Sequence, residues 1–281
     1  MTLYVSDLDG TLLNPQAELS VPTRMGLVQL LDEGLHFTVA SARHISSIGQ
    51  ILAGLPLKLP VISSNGAFLS DLTSGQHELV NAMEPALAQA IFALMRQRGF
   101  MPFVQIHGPQ GDRLFYERVE NDGQRLFVEA RQKAGDPRLT QTTRLANELH
   151  DPAVTMLVIA EHEPLGALRD AIAELCGDRI EMHLADDLYM PGWPWLNIHD
   201  AKASKDQAIH SLAQRYGLAE RELVVFGDQV NDLSMFRKAH RGIAVANAID
   251  EVRELAHHVI GPHHEDSVLR FIEGDFRRSS A

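Results

Sequence analysis

Short apolar runs alternate with amphipathic stretches at both ends of this chain. Leu3-Tyr4-Val5 reads as a buried strand because apolar residues run on without a polar break. Ser20-Val21-Pro22 then has the form of a helix start, with Pro near the first helical position. Leu27, Leu30 and Leu31 recur at helical spacing, and Gly34 closes the segment as a C-terminal cap. Leu35 to Ala40 predicts a second strand, and Ile45, Ile48, Ile51 and Leu52 the next helix. Leu59 to Ser63 predicts a third strand, and Asp71 to Gly75 a hairpin turn. The alternation returns with a helix over Lys205 to Tyr216 and strands at Leu223 to Phe226, Gly242 to Val245 and Val259-Ile260. Such βαβ patterning predicts an α/β fold, a doubly wound, mostly parallel, Rossmann-like sheet.

The texture changes between these halves. A helix over Pro85 to Arg98 leads to strands at Phe100 to His107 and Leu114 to Val119. A polar helix covers Asn121 to Lys133, and strands at Val154 to Ala160 and Ile180 to Leu184 flank a helix at Leu165 to Leu175. This pattern predicts an inserted α+β domain over residues 83–187, with residues 1–82 and 188–281 forming the surrounding α/β core. There is no internal repeat and no low-complexity segment.

A net charge of −12 makes nucleic acid a poor partner, because that binding rests on neutralising phosphates with Lys and Arg. The single cysteine, Cys176, excludes an intramolecular disulfide and reads as helix filler. The first strand begins at once, and no apolar stretch reaches membrane-spanning length, so the expectation is a cytoplasmic protein. Neither substrate identity nor the choice between monomer and homodimer follows from these quantities.

The chemistry concentrates where strands end. In open α/β sheets, ligands bind outside the carboxyl ends of strands. The first strand ends on Asp7-Leu8-Asp9-Gly10-Thr11, the second on Ser41-Ala42-Arg43, the third on Ser64-Asn65-Gly66-Ala67, and a later one on Gly227-Asp228-Gln229-Val230-Asn231-Asp232. Strand alternation would point Asp7 and Asp9 into one volume, where two like charges need protons or a cation. Each piece also has a plainer reading: an acidic turn, a strand-end serine, a solvated lysine at 205, or Asp228 and Asp232 as helix caps.

Taken in order, Asp7-x-Asp9-Gly10-Thr11, Ser41, Lys205 and Gly227-Asp228-x-x-Asn231-Asp232 resemble the motifs of the haloacid dehalogenase (HAD) superfamily. The long insertion between Ser41 and Lys205 resembles the Cof-type (type IIB) cap group, mostly phosphatases of small metabolites such as sugar phosphates and phosphorylated cofactors. The resemblance implies a Mg²⁺-dependent phosphomonoesterase with Asp7 as nucleophile and Asp9 as general acid and base. It further implies Ser41 and Lys205 on the phosphoryl group, and Mg²⁺ held by Asp7, the Asp9 carbonyl and Asp228, with Asp232 acting through water or from outside. Gly10, Thr11, Ala42, Arg43, Asn65 and Asn231 would line the substrate. Arg43 suits either a substrate contact or a pair with a core acid. Lys202 competes with Lys205 for the lysine's role. Ser41-Ala42, Asp206 and Gln229 depart from the family's usual residues.

Within the insertion, His107, Arg113, Tyr116 and His183, with Tyr189 and Trp193 beyond it, are candidate specificity contacts. The pairs His257-His258 and His263-His264 raise a zinc site, although no thiols accompany them. A phosphotransferase or mutase on the same scaffold is the alternative enzyme. A non-catalytic binder of phosphorylated metabolites is the alternative of another kind.

Overall fold

A computed structural model describes residues 2–186 and 190–280. The chain divides into two compact units, Met1–Val80 with Ser204–Ala281, and Asn81–Ala203.

The first unit is built on a parallel sheet ordered His258–Val259, Arg241–Ala244, Glu222–Gly227, Thr2–Ser6, His36–Val39. Val61–Ser63 joins its edge through a parallel bridge between Ala40 and Ile62, then turns into an antiparallel ribbon with Phe68–Ser70 and His77–Val80. Strands buried on both faces read as near-continuous apolar runs, as Leu3-Tyr4-Val5 does within Thr2–Ser6, whose five positions are all buried. Chain order runs outward in opposite directions on either side of Thr2–Ser6 and Glu222–Gly227, so these neighbours mark the topological switch point. Register does the rest. Ser6 pairs with Phe226 and with Val39, so the residues that follow each strand emerge side by side.

Helices cover this sheet. Val21–Asp32 starts on Ser20, whose hydroxyl accepts from the Thr23 N–H at 3.1 Å, with Pro22 in the first turn. Its Gly26 lies against Leu269 of the last helix, Ser267–Ser280, which buries Val268, Leu269 and Ile272. No sequence expectation covered that helix.

In the second unit the sheet order is Ile180–Ala185, Trp195–Asp200, Ala153–Ile159, Phe103–Gly108, Gly111–Tyr116, Leu139–Gln141. Pairing is antiparallel except for the last pair. Helices Pro85–Gln97 and His162–Cys176 pack on one face, with Leu87, Ile91, Leu165 and Leu168 against Val104, Met156 and Ile198. Helix Asp122–Lys133 brings Phe127 to Phe103 and Trp195 on the other. This corrects the expected return to the core at residue 188. Trp195–Asp200 pairs with strands on both sides within the second unit, and that hydrogen bonding carries the unit to Ala203.

Candidate active site

Three strand ends and one helix start converge in the first unit. The Asp7 N–H donates to the Phe226 carbonyl at 2.9 Å, which fixes Asp7 beside the Gly227-Asp228 turn. Lys205 is the first residue of helix Lys205–Arg215, where side chains lean back toward the N-terminus. Its ammonium is fully buried and donates to Asp7 Oδ1 and Asp232 Oδ1, both at 2.6 Å. Asp232 spends its second oxygen on the N–H groups of Asp228 at 2.8 Å and Gln229 at 3.0 Å. Thr11 donates to Asp228 Oδ1 at 2.7 Å.

Asp7, Asp228 and Asp232 are all buried, and one carboxylate oxygen from each lies within 4.8 Å of the others. Burial pushes the Asp7 carboxyl well up, and Asp232 and Asp228 add to this while Lys205 opposes it. Asp228 is pushed up to about 7 by burial and by Asp232, with Thr11 and Lys205 pulling the other way. Burial would lower the Lys205 ammonium, but Asp232 and Asp7 outweigh it and hold it above its ordinary value. One buried ammonium therefore faces three carboxylates, an excess of negative charge that a hard divalent cation would relieve. The donors are all oxygen, as Mg²⁺ prefers. Since Lys205 and the backbone claim both Asp232 oxygens, Asp7 and Asp228 are the residues that fit direct ligation, and Asp232 fits a supporting place.

The strand stops at Ser6, and Asp9 lies in the turn Leu8–Leu12 that follows it. The Asp9 carboxylate receives Arg43 Nε and Nη2, both at 2.7 Å. Gly10 follows at φ +73°, and a Cβ there would lie 2.4 Å from Asp228 Oδ2, so only glycine fits. Its carbonyl accepts from Asn247 Nδ2 at 2.8 Å.

Ser41 is buried, and its Oγ accepts from the Arg43 N–H at 3.2 Å, which leaves the hydroxyl proton to donate. Ala42 is exposed beside it. Ser64, Asn65 and Gly66 then adopt three successive left-handed conformations at φ +49°, +56° and +101°. Such strain persists only where surroundings enforce it. Here the Asn65 N–H donates to the Ser41 carbonyl and the Ser64 N–H to the Arg43 carbonyl, both at 2.9 Å. The turn presents Asn65 Oδ1 to Asn231 Nδ2 at 3.0 Å.

Thus the structure gathers Asp7, Lys205, Asp228 and Asp232, with Thr11 holding Asp228 through its hydroxyl. It pairs Asn65 with Asn231 and Arg43 with Asp9. Lys202 lies in the second unit, where its carbonyl accepts from Asn81 Nδ2. Sequence reasoning missed Asn247, a lone amide between Ala246 and Ala248 with no motif to mark it.

Of the insertion residues, Tyr116 and Trp193 join the apolar cluster of Phe103 and Phe127. His107 meets Asp112 at 2.8 Å, and His183 lies 3.7 Å from Glu181. Arg113 is half-buried, and Tyr189 lies outside the described residues. Among the described residues, the pairs at 257–258 and 263–264 enter no group able to hold a metal. Nor is any helix there long and apolar enough to cross a membrane.

A parallel sheet that delivers acids, a lysine and a serine to its switch point defines an α/β protein with a strand-end acidic centre. The chain belongs to the haloacid dehalogenase-like hydrolases, whose family model matches residues 4–272. It is 27% identical over 278 residues to pyridoxal phosphate phosphatase YbhA of Escherichia coli (strain K12), covering 95% of each chain. It is 23% identical to 5-amino-6-(5-phospho-D-ribitylamino)uracil phosphatase YitU of Bacillus subtilis (strain 168), covering 98% of this chain and 97% of that one. In fold it is similar to TM0651 from Thermotoga maritima, with TM-score 0.77, 24% identity and 97% of each chain covered. The HAD subclass IIB sugar phosphatase BT4131 aligns with TM-score 0.73 and 18% identity over 98% of each chain.

Proposed function

We propose that the protein is a Mg²⁺-dependent phosphomonoesterase acting on a small phosphorylated metabolite, a sugar phosphate or a phosphorylated cofactor. One observation carries this reading: Asp7, at the end of the central strand, is bonded to a buried lysine and faces Asp228 and Asp232. Named relatives that act on pyridoxal phosphate and on a phosphoribitylamino-uracil support the substrate class.

Phosphate monoesters hydrolyse extremely slowly unaided, so the site must supply a nucleophile, charge neutralisation and protons. An Asp7 oxygen attacks phosphorus, the ester P–O bond breaks, and Asp9 gives its proton to the departing oxygen. Water then attacks the aspartyl-phosphate while Asp9 takes back a proton. The bond to Asp7 breaks and inorganic phosphate leaves. Lys205 favours the ionised form of Asp7 and offsets phosphoryl charge, while Ser41 and the Asn65–Asn231 pair donate to phosphoryl oxygens. Mg²⁺, when bound by Asp7 and Asp228, supplies the charge neutralisation that lets an anionic nucleophile meet an anionic ester. The unit 81–203 supplies substrate specificity in this reading.

A panel of sugar phosphates, pyridoxal phosphate, nucleotides and flavin mononucleotide, assayed with Mg²⁺ and then with EDTA, tests the proposal. Release of inorganic phosphate from at least one ester, abolished by EDTA, is expected. Undiminished release in EDTA contradicts it, and transfer to an added sugar alcohol instead of water would make the protein a phosphotransferase.

A further inference from the structure

We propose that Arg43 is a positioning residue that aims the Asp9 carboxylate, an assignment that rests on the phosphatase reading above. Asp9 sits in a turn and its side chain is about a quarter exposed (26%). The Arg43 fork grips both oxygens of its carboxylate. Nε meets Oδ2 and Nη2 meets Oδ1, each at 2.7 Å, while Nη1 donates to Ser47 Oγ at 3.0 Å on helix Ile45–Ile51.

The guanidinium is anchored in turn by its own backbone. The Arg43 N–H donates to Ser41 Oγ, and its carbonyl accepts from Ser64. The direction of Asp9 is thereby tied to the strand end that carries Ser41. Two parallel N–H···O bonds fix both the position and the plane of a carboxylate, which a lysine's point charge cannot reproduce. A carboxylate oxygen has two lone pairs, so an N–H···O bond from the fork does not by itself exclude a proton on the same oxygen. The side chain acts through Asp9 and need not touch the ester.

The test uses two aryl esters of similar shape on the full chain with Mg²⁺. 4-Nitrophenyl phosphate releases a stable anion that needs no proton, whereas phenyl phosphate releases one that does. Arg43→Lys and Arg43→Ala, shown folded by thermal melting, are expected to lower kcat about a hundredfold on phenyl phosphate, the size of a lost acid–base contribution. On 4-nitrophenyl phosphate the fall should be less than about tenfold, with KM nearly unchanged on both. Asp9→Asn should show the same bias, and Asp9→Asn with Arg43→Ala should be no slower than Asp9→Asn alone, since residues acting as a unit are not additive. Equal losses on both esters, a rise confined to KM, or a multiplied loss in the double variant would overturn the assignment while leaving the phosphatase reading intact. Wild-type protein inactive on every phosphate ester would remove that reading, and this proposal with it.

Discussion

Lys205 is the residue on which the local electrostatics turn. A lysine with a fully buried side chain is tolerable only because Asp7 and Asp232 each accept from it at 2.6 Å. Replacing it by methionine keeps the bulk but leaves crowded carboxylates without their internal cation. Breaking a buried charge pair by removing one partner costs about 3–5 kcal/mol. Urea unfolding of Lys205→Met in EDTA should show a loss of that size, and Mg²⁺ should recover part of it. A variant as stable as the parent would mean that the bonds to Asp7 and Asp232 contribute nothing. At this scale the motif acids and the lysine could be read directly, because each sits at a strand end or helix start that hydrophobic patterning marks. What could not be read is how side chains divide their bonds. Thr11 follows Gly10 in the first motif, but nothing in that motif says that its hydroxyl donates to Asp228. Arg43 stood between substrate and core acid, and only packing shows that Asp9 takes it.

At the scale of elements, the strained turn Ser64–Gly66 couples the third strand to the start of helix Lys205–Arg215. A Cβ on Gly66 would lie 2.3 Å from the Ser204 carbonyl oxygen, at a φ of +101° that disfavours side chains. Gly66→Ala should therefore destabilise by about 1–3 kcal/mol, and lower activity further by shifting Lys205. Thermal melting and steady-state kinetics check both parts. An alanine variant indistinguishable from wild type would show that the turn and helix start are not rigidly joined. Strands and helices with long apolar periodicity were legible here, among them the strands now placed at His36–Val39 and Glu222–Gly227. Leu139–Gln141 was not, being three residues of mixed character. The last helix escaped notice because Val268, Leu269 and Ile272 are its few buried anchors among charged neighbours.

For the whole molecule, the acidic centre makes a prediction about pH. In the metal-free protein Asp228 titrates near 7, above its ordinary value, so the native state holds an extra proton between about pH 4 and 7. Its contribution to stability falls as pH rises through that window. A cation displaces this proton, so the rise in Tm on adding Mg²⁺ should be larger at pH 8 than at pH 5.5. The comparison must be made with and without Mg²⁺ at each pH, because His199 works in the opposite sense. Burial lowers its imidazole to about 3, so its contribution is present above the ordinary histidine value and is lost as pH falls from about 6.5 toward 3. A Mg²⁺ increment independent of pH would contradict carboxylate ligation at Asp228. The two-unit architecture was legible from the change in texture along the chain. Its second boundary was not, since strand pairing by Trp195–Asp200 is a long-range property.

The central claim is that Asp7 becomes covalently phosphorylated. Asp9→Asn protein mixed with 4-nitrophenyl phosphate and Mg²⁺, quenched in acid and reduced with borohydride, would have an acyl phosphate converted to homoserine where it formed. Peptide mass spectrometry should find homoserine at position 7, dependent on ester and metal. An unmodified Asp7 alongside released nitrophenol, or reduction at another carboxylate, would contradict the account.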